Sequence, residues 1–244
     1  MKLTDFKVLS FDCYGTLIDW ETGLWTVLQP LAGGTRPVTR EAALVAFGEF
    51  ESEAERETPS APYRDVLARV HGRLAARWGA ATTPARDAAF GLSVGDWPAF
   101  PDTVEALRYL KRHYKLVILS NVDRENFTRT NAKLGVAFDA ICTAEEIGSY
   151  KPDARNFEFL LARVREMGFE KSDLLHTAQS LYHDHVPAER LGIARCWINR
   201  RGDKGTGSGA TRAVAERPRL DFEFPTLGAM AEAHKGRAAI NNSK

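Results

Sequence analysis

The sequence predicts an α/β fold: a Rossmann-like parallel sheet covered by helices on both faces, with a helical module inserted near its start. Short runs rich in Val, Ile and Leu are the first sign. Lys7 to Asp12, Lys115 to Ser120 and Asp173 to Thr177, with weaker runs at Phe138 to Thr143 and Ala194 to Ile198, have the near-continuous apolarity of strands buried on both faces. Helical patterns separate them. Pro101-Asp102-Thr103 opens a helix with Val104, Leu107 and Leu110 on one face, and Phe157, Leu160, Leu161 and Val164 repeat at helical spacing after Lys151-Pro152-Asp153. The interval from Trp20 to Trp97 breaks this rhythm. It holds no convincing strand, and its Ala, Glu, Arg and Leu content reads as several helices, including Arg40 to Arg56 and Tyr63 to Trp78. Residues 17–98 are therefore assigned to a helical cap, and residues 1–16 with 99–244 to the α/β core. The two prolines of Asp96 to Pro101 mark the return hinge.

At 244 residues the chain suits one main domain carrying a sizeable insertion. Hydrophobic residues at 44% and charged residues at 27% are ordinary for a globular protein, and a net charge of +1 provides no field to attract nucleic acid or an anionic membrane. The three cysteines, Cys13, Cys142 and Cys196, are too few and too scattered for a disulfide framework or a zinc site, and they suit a reducing compartment. No signal-peptide pattern opens the sequence and no run approaches the span of a bilayer, so a cytoplasmic location is expected. Residues 200–219, rich in Gly and Arg, read as a solvated loop, or else as a basic lip that draws in an anionic substrate.

Polar residues collect at one edge of this scheme. Asp12 ends the first strand, Ser120 and Asn121 end the second, Lys151 lies at a turn before a helix, and Asp184 follows the strand that starts at Asp173. Each alone has a bland reading as a cap or a solvated turn residue. Together, at the carboxyl ends of successive parallel strands, they supply a nucleophile with a charge-stabilising cradle. A lone carboxylate at the rim of an apolar core is costly to desolvate, which singles out Asp12.

On these residues the sequence resembles the haloacid dehalogenase superfamily over nearly its whole length. Four motifs stand in order: Asp12-Cys13-Tyr14-Gly15-Thr16-Leu17, Leu119-Ser120-Asn121, Tyr150-Lys151-Pro152-Asp153 and Gln179-Ser180-Leu181-Tyr182-His183-Asp184. The superfamily's phosphatases have a second aspartate two residues after the nucleophile and an early acidic residue in the fourth motif that helps hold magnesium. Tyr14 and Gln179 stand at those positions. A phenol with a pKa of about 10 is a poor proton shuttle at neutral pH, and a neutral amide removes attraction for magnesium. No metal and no cofactor are therefore expected.

The first motif is similar to that of the type II 2-haloacid dehalogenases. That resemblance implies a small carboxylate substrate attacked at C2 by Asp12, an aspartyl ester cleaved by water, and a homodimeric assembly. It also implies that Lys151 lowers the pKa of Asp12, that Asp184 holds Lys151 or takes a proton from water, and that Ser120, Asn121 and amides near Cys13 and Tyr14 bind the substrate carboxylate. Amides following Gly15 and Thr16 would form the oxyanion site, which puts Thr16 with the catalytic group. Trp20, Trp25 and Trp97 flank the cap hinges and are candidates for the apolar wall, Trp20 foremost.

The dehalogenase pattern is incomplete. No arginine lies near Ala46 to Glu49 to receive a halide, and Phe157 and Leu181 stand where that branch has a tyrosine and an asparagine. FDCYGTLIDWETG, WPAFPDTVEAL, GSYKP and SLYHDH also resemble the L-azetidine-2-carboxylate hydrolases. In that case the amine leaving group needs a proton donor, a role open to His183 or Tyr182.

Overall fold

The computed structural model of the protein describes residues 1–33, 37–202 and 214–241. Its centre is a six-stranded, wholly parallel sheet: β1 (Val8–Phe11), β2 (Lys115–Ser120), β3 (Ala140–Thr143), β4 (Leu174–Ala178), β5 (Ala194–Ile198) and β6 (Phe222–Phe224), in the order β3-β2-β1-β4-β5-β6. The five expected strands are present to within one or two residues. Strand β6 was not expected, because three partly exposed residues at a sheet edge have too little apolar periodicity to be read.

Strand alternation divides the core. Leu9, Phe11, Leu116 and Ile118 pack into one hydrophobic cluster, and Val8, Val117, Leu119 and Leu174 into the other, against Phe157, Leu160 and Val164 of α8 (Ala154–Glu166). Ser10 breaks the apolar run of the fully buried β1, and its hydroxyl is satisfied by His176 Nδ1 of β4 at 2.8 Å. Such pairing is what makes a buried polar group tolerable.

Between β1 and β2 the chain forms α1 (Trp20–Ala32), α2 (Arg40–Glu57), α3 (Tyr63–Trp78), α4 (Pro84–Leu92) and α5 (Thr103–Leu110). Asp19, Thr39 and Thr83 cap α1, α2 and α4 by accepting from Thr22, Ala42 and Arg86 backbone N–H groups, so short polar residues set those starts. The outgoing and returning segments lie side by side. Ile18 bridges Ala99 in antiparallel fashion, Asp19 N donates to Pro98 O at 2.8 Å, and Phe100 N donates to Leu17 O at 3.1 Å.

Helices α1–α4 are tied to the segment following β2. Asp123, fully buried, caps α6 (Arg124–Leu134) and also accepts from Arg64 N at 3.0 Å and Arg64 Nη1 at 3.4 Å. Tyr150 donates to Ala61 O at 2.6 Å, and Asn126 Nδ2 to Gly91 O at 3.0 Å. The remaining helices are α7 (Ala144–Ile147), α9 (Val186–Arg190) and α10 (Leu227–Asn241). Among the described residues no helix is long and apolar enough to cross a membrane.

The Gly- and Arg-rich stretch begins differently from its reading as a solvated loop or a lip. Arg200 is largely buried, lies over the Phe100 ring at 3.7 Å from its centroid, and donates to Asp102 Oδ1 at 2.7 Å and to Thr16 O at 2.8 Å. It braces the turn after β1. Residues 203–213 of that stretch lie outside the described residues.

Gly23 of α1 lies so close to the Trp97 ring that a Cβ atom there would overlap it. Gly23→Ala is therefore expected to destabilise the protein by about 1–3 kcal/mol through overpacking, read as a lower urea midpoint. An unchanged midpoint would mean that the indole moves aside.

Candidate active site

The sheet order reverses between β1 and β4, so the crevice at their carboxyl ends is the natural ligand site of this topology. Asp12 leaves β1 there. The turn that follows depends on Gly15, whose φ of +96° disfavours other residues and whose missing Cβ leaves room for the Trp20 ring and the Gln179 side chain. Thr16 Oγ1 donates to Asp12 Oδ2 at 2.7 Å and accepts from Gln179 N at 2.9 Å. Both are consequences of the tight turn.

Lys151 approaches from the other side. Its ammonium donates to Asp12 Oδ1 at 2.9 Å, Asp184 Oδ1 at 2.7 Å and Leu119 O at 3.0 Å, so all three protons are used within the protein. Asn121 holds the lysine's backbone: Nδ2 donates to Lys151 O at 3.1 Å, and Oδ1 accepts from Lys151 N at 2.7 Å. Asp184 sits in a π-helical turn, Leu181–His185, and its Oδ1 also meets His176 Nε2 at 3.1 Å. Since the carboxylate only accepts, His176 Nε2 donates and Nδ1 is left to accept the Ser10 hydroxyl.

These groups compete for one positive charge. Burial raises Asp12, and the Lys151 charge offsets this only in part, so the carboxyl lies above the ordinary aspartate value. This corrects the expected direction, although the pull of Lys151 is as expected. Burial also opposes ionisation of Asp184, but there Lys151 and His176 outweigh it and hold the carboxyl well below the usual range. Lys151 is itself held above its ordinary value by the two aspartates, against the effect of burial.

The pocket above Asp12 has a volume of about 90 Å³ and is lined from the core by Asp12, Tyr14, Ser120, Asn121, Lys151 and Asp184. This is small beside the ~300–1,000 Å³ of drug-sized ligand sites. Gln179, Ser180 and His183 add the fourth motif. Trp20 and Trp97 form apolar wall, whereas Trp25 is not in the lining. Phe157 and Leu181 are core residues and do not reach the pocket. Tyr14 points its hydroxyl to Thr130 Oγ1 at 3.0 Å, and burial pushes that phenol well above 10. The Cys13 thiol is fully buried outside the lining. The Cys13 and Tyr14 N–H groups, however, donate to no backbone acceptor among the described residues. Ser120 Oγ, Trp97 Nε1 and Asp184 Oδ2 are buried with no hydrogen-bond partner among the described residues.

Four contributors were not picked out from the sequence. His176 lies within an apolar strand and gives no local signal. Glu51 and Glu55 of α2 and Tyr63 of α3 also line the pocket. A signal for the glutamates existed: Ala43, Leu44, Phe47 and Ala54 form the buried stripe of α2, and Glu51 and Glu55 continue it where apolar residues are expected.

A protein-family model for haloacid dehalogenase-like hydrolases matches residues 6–176. The chain belongs to the haloacid dehalogenase-like hydrolases. Within this family, it is 35% identical over 104 residues to an (S)-2-haloacid dehalogenase of Pseudomonas putida, a match covering 41% of this chain and 44% of that protein. The match thus spans less than half of that relative's length. The fold is similar to an L-2-haloacid dehalogenase from Xanthobacter autotrophicus with chloropropionic acid covalently bound (TM-score 0.79, 18% identity, 95% of this chain and 99% of that one). It is also similar to a magnesium-bound haloacid dehalogenase-type hydrolase of Bacillus subtilis (TM-score 0.72, 16% identity, 93% and 97%). A metal requirement is therefore not decided by this fold. The donor set here does not fit magnesium: an ammonium is already bonded to both core aspartates, Gln179 is neutral, and no group of three His, Cys, Asp or Glu side chains among the described residues is placed to hold an ion.

The charge arrangement predicts opposite stability effects. Asp184 stabilises the fold above its unfolded pKa of ~3.9, and Lys151 does so below ~10.4. Asp12, shifted upward, instead costs stability when ionised. Lys151→Met is expected to destabilise by about 3–5 kcal/mol at pH 7 because two buried carboxylates lose their counter-charge, with a smaller deficit near pH 4. Asp12→Asn is expected to raise the urea midpoint at pH 7, with the gain shrinking as the pH falls through the wild-type Asp12 pKa. A less stable Asp12→Asn protein at pH 7 would refute the upward shift.

Proposed function

We propose that this protein is a metal-independent hydrolase of the (S)-2-haloacid dehalogenase type, displacing the C2 substituent of a small 2-substituted carboxylic acid with Asp12 as nucleophile. The observation that carries this reading is the fixing of both Asp12 oxygens, by Lys151 and by Thr16, at the floor of a small pocket, with no proton shuttle at position 14. An oxygen so held needs little further ordering to attack carbon in line with the departing bond.

In this mechanism Asp12 attacks C2 from the side opposite the leaving group, and the resulting ester has the inverted configuration. The Ser120 hydroxyl, which has no partner among the described residues, and the Cys13 and Tyr14 N–H groups, which donate to no backbone acceptor among them, bind the substrate carboxylate. Asn121 is a positioning residue, since both of its polar atoms hold the Lys151 turn. Water then attacks the acyl carbon of the ester and releases the 2-hydroxy acid. Asp184 positions Lys151 and presents its unpartnered Oδ2 to that water. The 17–98 cap, through Trp20 and Trp97, keeps bulk water out.

A single turnover in H₂¹⁸O, with enzyme in excess, tests the covalent step. The first product molecule should carry unlabelled oxygen from Asp12, and the label should appear in the Asp12 carboxyl group. Solvent label in that first product would overturn the nucleophile assignment, as would retained turnover in Asp12→Asn. Ser120→Ala should raise KM for the carboxylate substrate about tenfold to a hundredfold, the loss of one hydrogen bond to a charged group, with a smaller effect on kcat.

A further inference from the structure

The hydroxyl that holds Asp12 has to be aimed. Thr16 Oγ1 accepts the Gln179 N–H at 2.9 Å, which leaves its own proton for Asp12 Oδ2 at 2.7 Å. A β-branched side chain is stiff at χ1, so the direction of that O–H follows the backbone of Thr16. The turn closes on itself through Cys13 O, which accepts the Leu17 and Ile18 N–H groups at 2.8 and 3.0 Å. The carbonyls of Thr16 and Leu17 take no part in this closure. Both residues are fully buried, where an unpaired carbonyl is costly, so other segments must supply the donors.

Arg200, two residues beyond the end of β5, supplies them to Thr16. Its Nε and Nη2 donate to Thr16 O at 3.1 and 2.8 Å, while Nη1 and Nη2 donate to Asp102 Oδ1 and Oδ2 at 2.7 and 3.2 Å. Asp102 Oδ2 also accepts Gly228 N of α10 at 2.9 Å. Leu17 O accepts Phe100 N at 3.1 Å and the buried Thr103 hydroxyl at 2.9 Å. The segment on which the chain returns from the insertion, residues 100–103, thus meets both carbonyls, directly at Leu17 and through Arg200 at Thr16. A planar fork stacked on Phe100 can serve a carbonyl and a carboxylate together, which a lysine ammonium does poorly. Arg200 lies outside the pocket lining.

We propose that Arg200 is a positioning residue for the nucleophile: by fixing the Thr16 carbonyl against Asp102 it aims the Thr16 hydroxyl at Asp12 and ties that aim to the seating of the return segment of the cap. Its catalytic consequence rests on the Asp12 reading, whereas the positioning can be measured without turnover. The guanidinium is paired with Asp102, so its influence on Asp12 passes through hydrogen-bond geometry and little through its field. Burial raises Asp12, and the Lys151 charge and the hydrogen bonds from Lys151 and Thr16 oppose that rise. A misaimed Thr16 hydroxyl therefore lifts the Asp12 pKa further. Lys151, Asp184, Glu51, Glu55, His183 and Tyr14 are the other titratable groups lining the pocket with Asp12, and substitutions at positions 16 and 200 remove none of them.

Carbon-13 NMR of protein labelled at the aspartate carboxyl carbons tests this, with the Asp12 signal identified by its loss in Asp12→Asn. The Asp12 titration midpoint is expected at higher pH in Arg200→Met, in the charge-conserving Arg200→Lys and in Thr16→Val, and Thr16→Val/Arg200→Met should match Thr16→Val alone. Arg195→Met is the control for lost stability. It removes a buried guanidinium near the start of β5 that donates to Arg219 O and Ile193 O, and it should lower the urea midpoint without moving the Asp12 titration. In both Arg200 variants kcat for chloride release from L-2-chloropropionate should fall about tenfold to a hundredfold, the cost of a small misplacement of a reacting group, with KM unchanged. If Arg200→Met does not fold, Arg200→Lys carries the comparison. An unmoved Asp12 midpoint in folded Arg200→Lys, additive shifts in the double variant, or an equal shift in Arg195→Met overturns the positioning role. Midpoints that move as expected together with solvent oxygen in the first product overturn the Asp12 reading and leave the positioning by Arg200 standing.

Discussion

One buried ammonium organises this molecule. Lys151 lies between Asp12 and Asp184 with each of its protons bonded, and every other catalytic candidate in the core is placed with respect to it. A charge of this kind is tolerable in an interior only when its partners are close and its donors are satisfied. The requirement reaches outward through the structure. Asn121 holds the lysine's backbone, His176 supports Asp184, Ser10 supports His176, and Thr16 takes the Asp12 oxygen that Lys151 leaves. Arg200 in turn holds the carbonyl of Thr16. The polar network crosses β1 and β4, otherwise the most apolar part of the sheet.

The three charges are not balanced. A single cation serves two anions, and Asp184, with His176 as a second donor, takes the larger share. Asp12 is left under-compensated at the pocket floor, where burial works against its charge. A carboxylate in that state gains by losing its charge, and the ester formation proposed above removes it. The upward shift and the proposed nucleophilic role thus have one cause. Stability is given up at the position where the proposed chemistry requires a reactive oxygen.

The helical insertion contributes the other half of the pocket, and its character differs from that of the core. The core side is a fixed cradle at the carboxyl ends of the strands, built from Asp12, Ser120, Asn121, Lys151 and Asp184. The insertion side brings Trp20, Glu51, Glu55 and Tyr63, which face Asp12 across the pocket. Fold similarity at 16–18% identity carries no information about that face. The ties from Asp123 to Arg64 and from Tyr150 to Ala61 set how closely it approaches.

The sequence by itself determined the strand and helix order, the helical character of the insertion, and the four motifs around Asp12, Ser120, Lys151 and Asp184. Those features are local: buried parallel strands are continuous apolar runs, and a catalytic carboxylate after one of them is conspicuous. Tyr14 and Gln179 were legible for the same reason, being fixed offsets from a motif. Tertiary structure alone decided which partner each group has. It spent all three Lys151 protons within the protein, turned Asn121 from a substrate ligand into a brace, raised rather than lowered Asp12, and excluded Trp25 from the pocket. It also brought Arg200 to the turn after Asp12, and Glu51 and Glu55, some forty residues along the chain, to face it. Ionisation and hydrogen bonding depend on distances of a few ångströms between residues far apart in sequence, and only the packed sheet and its insertion set those distances.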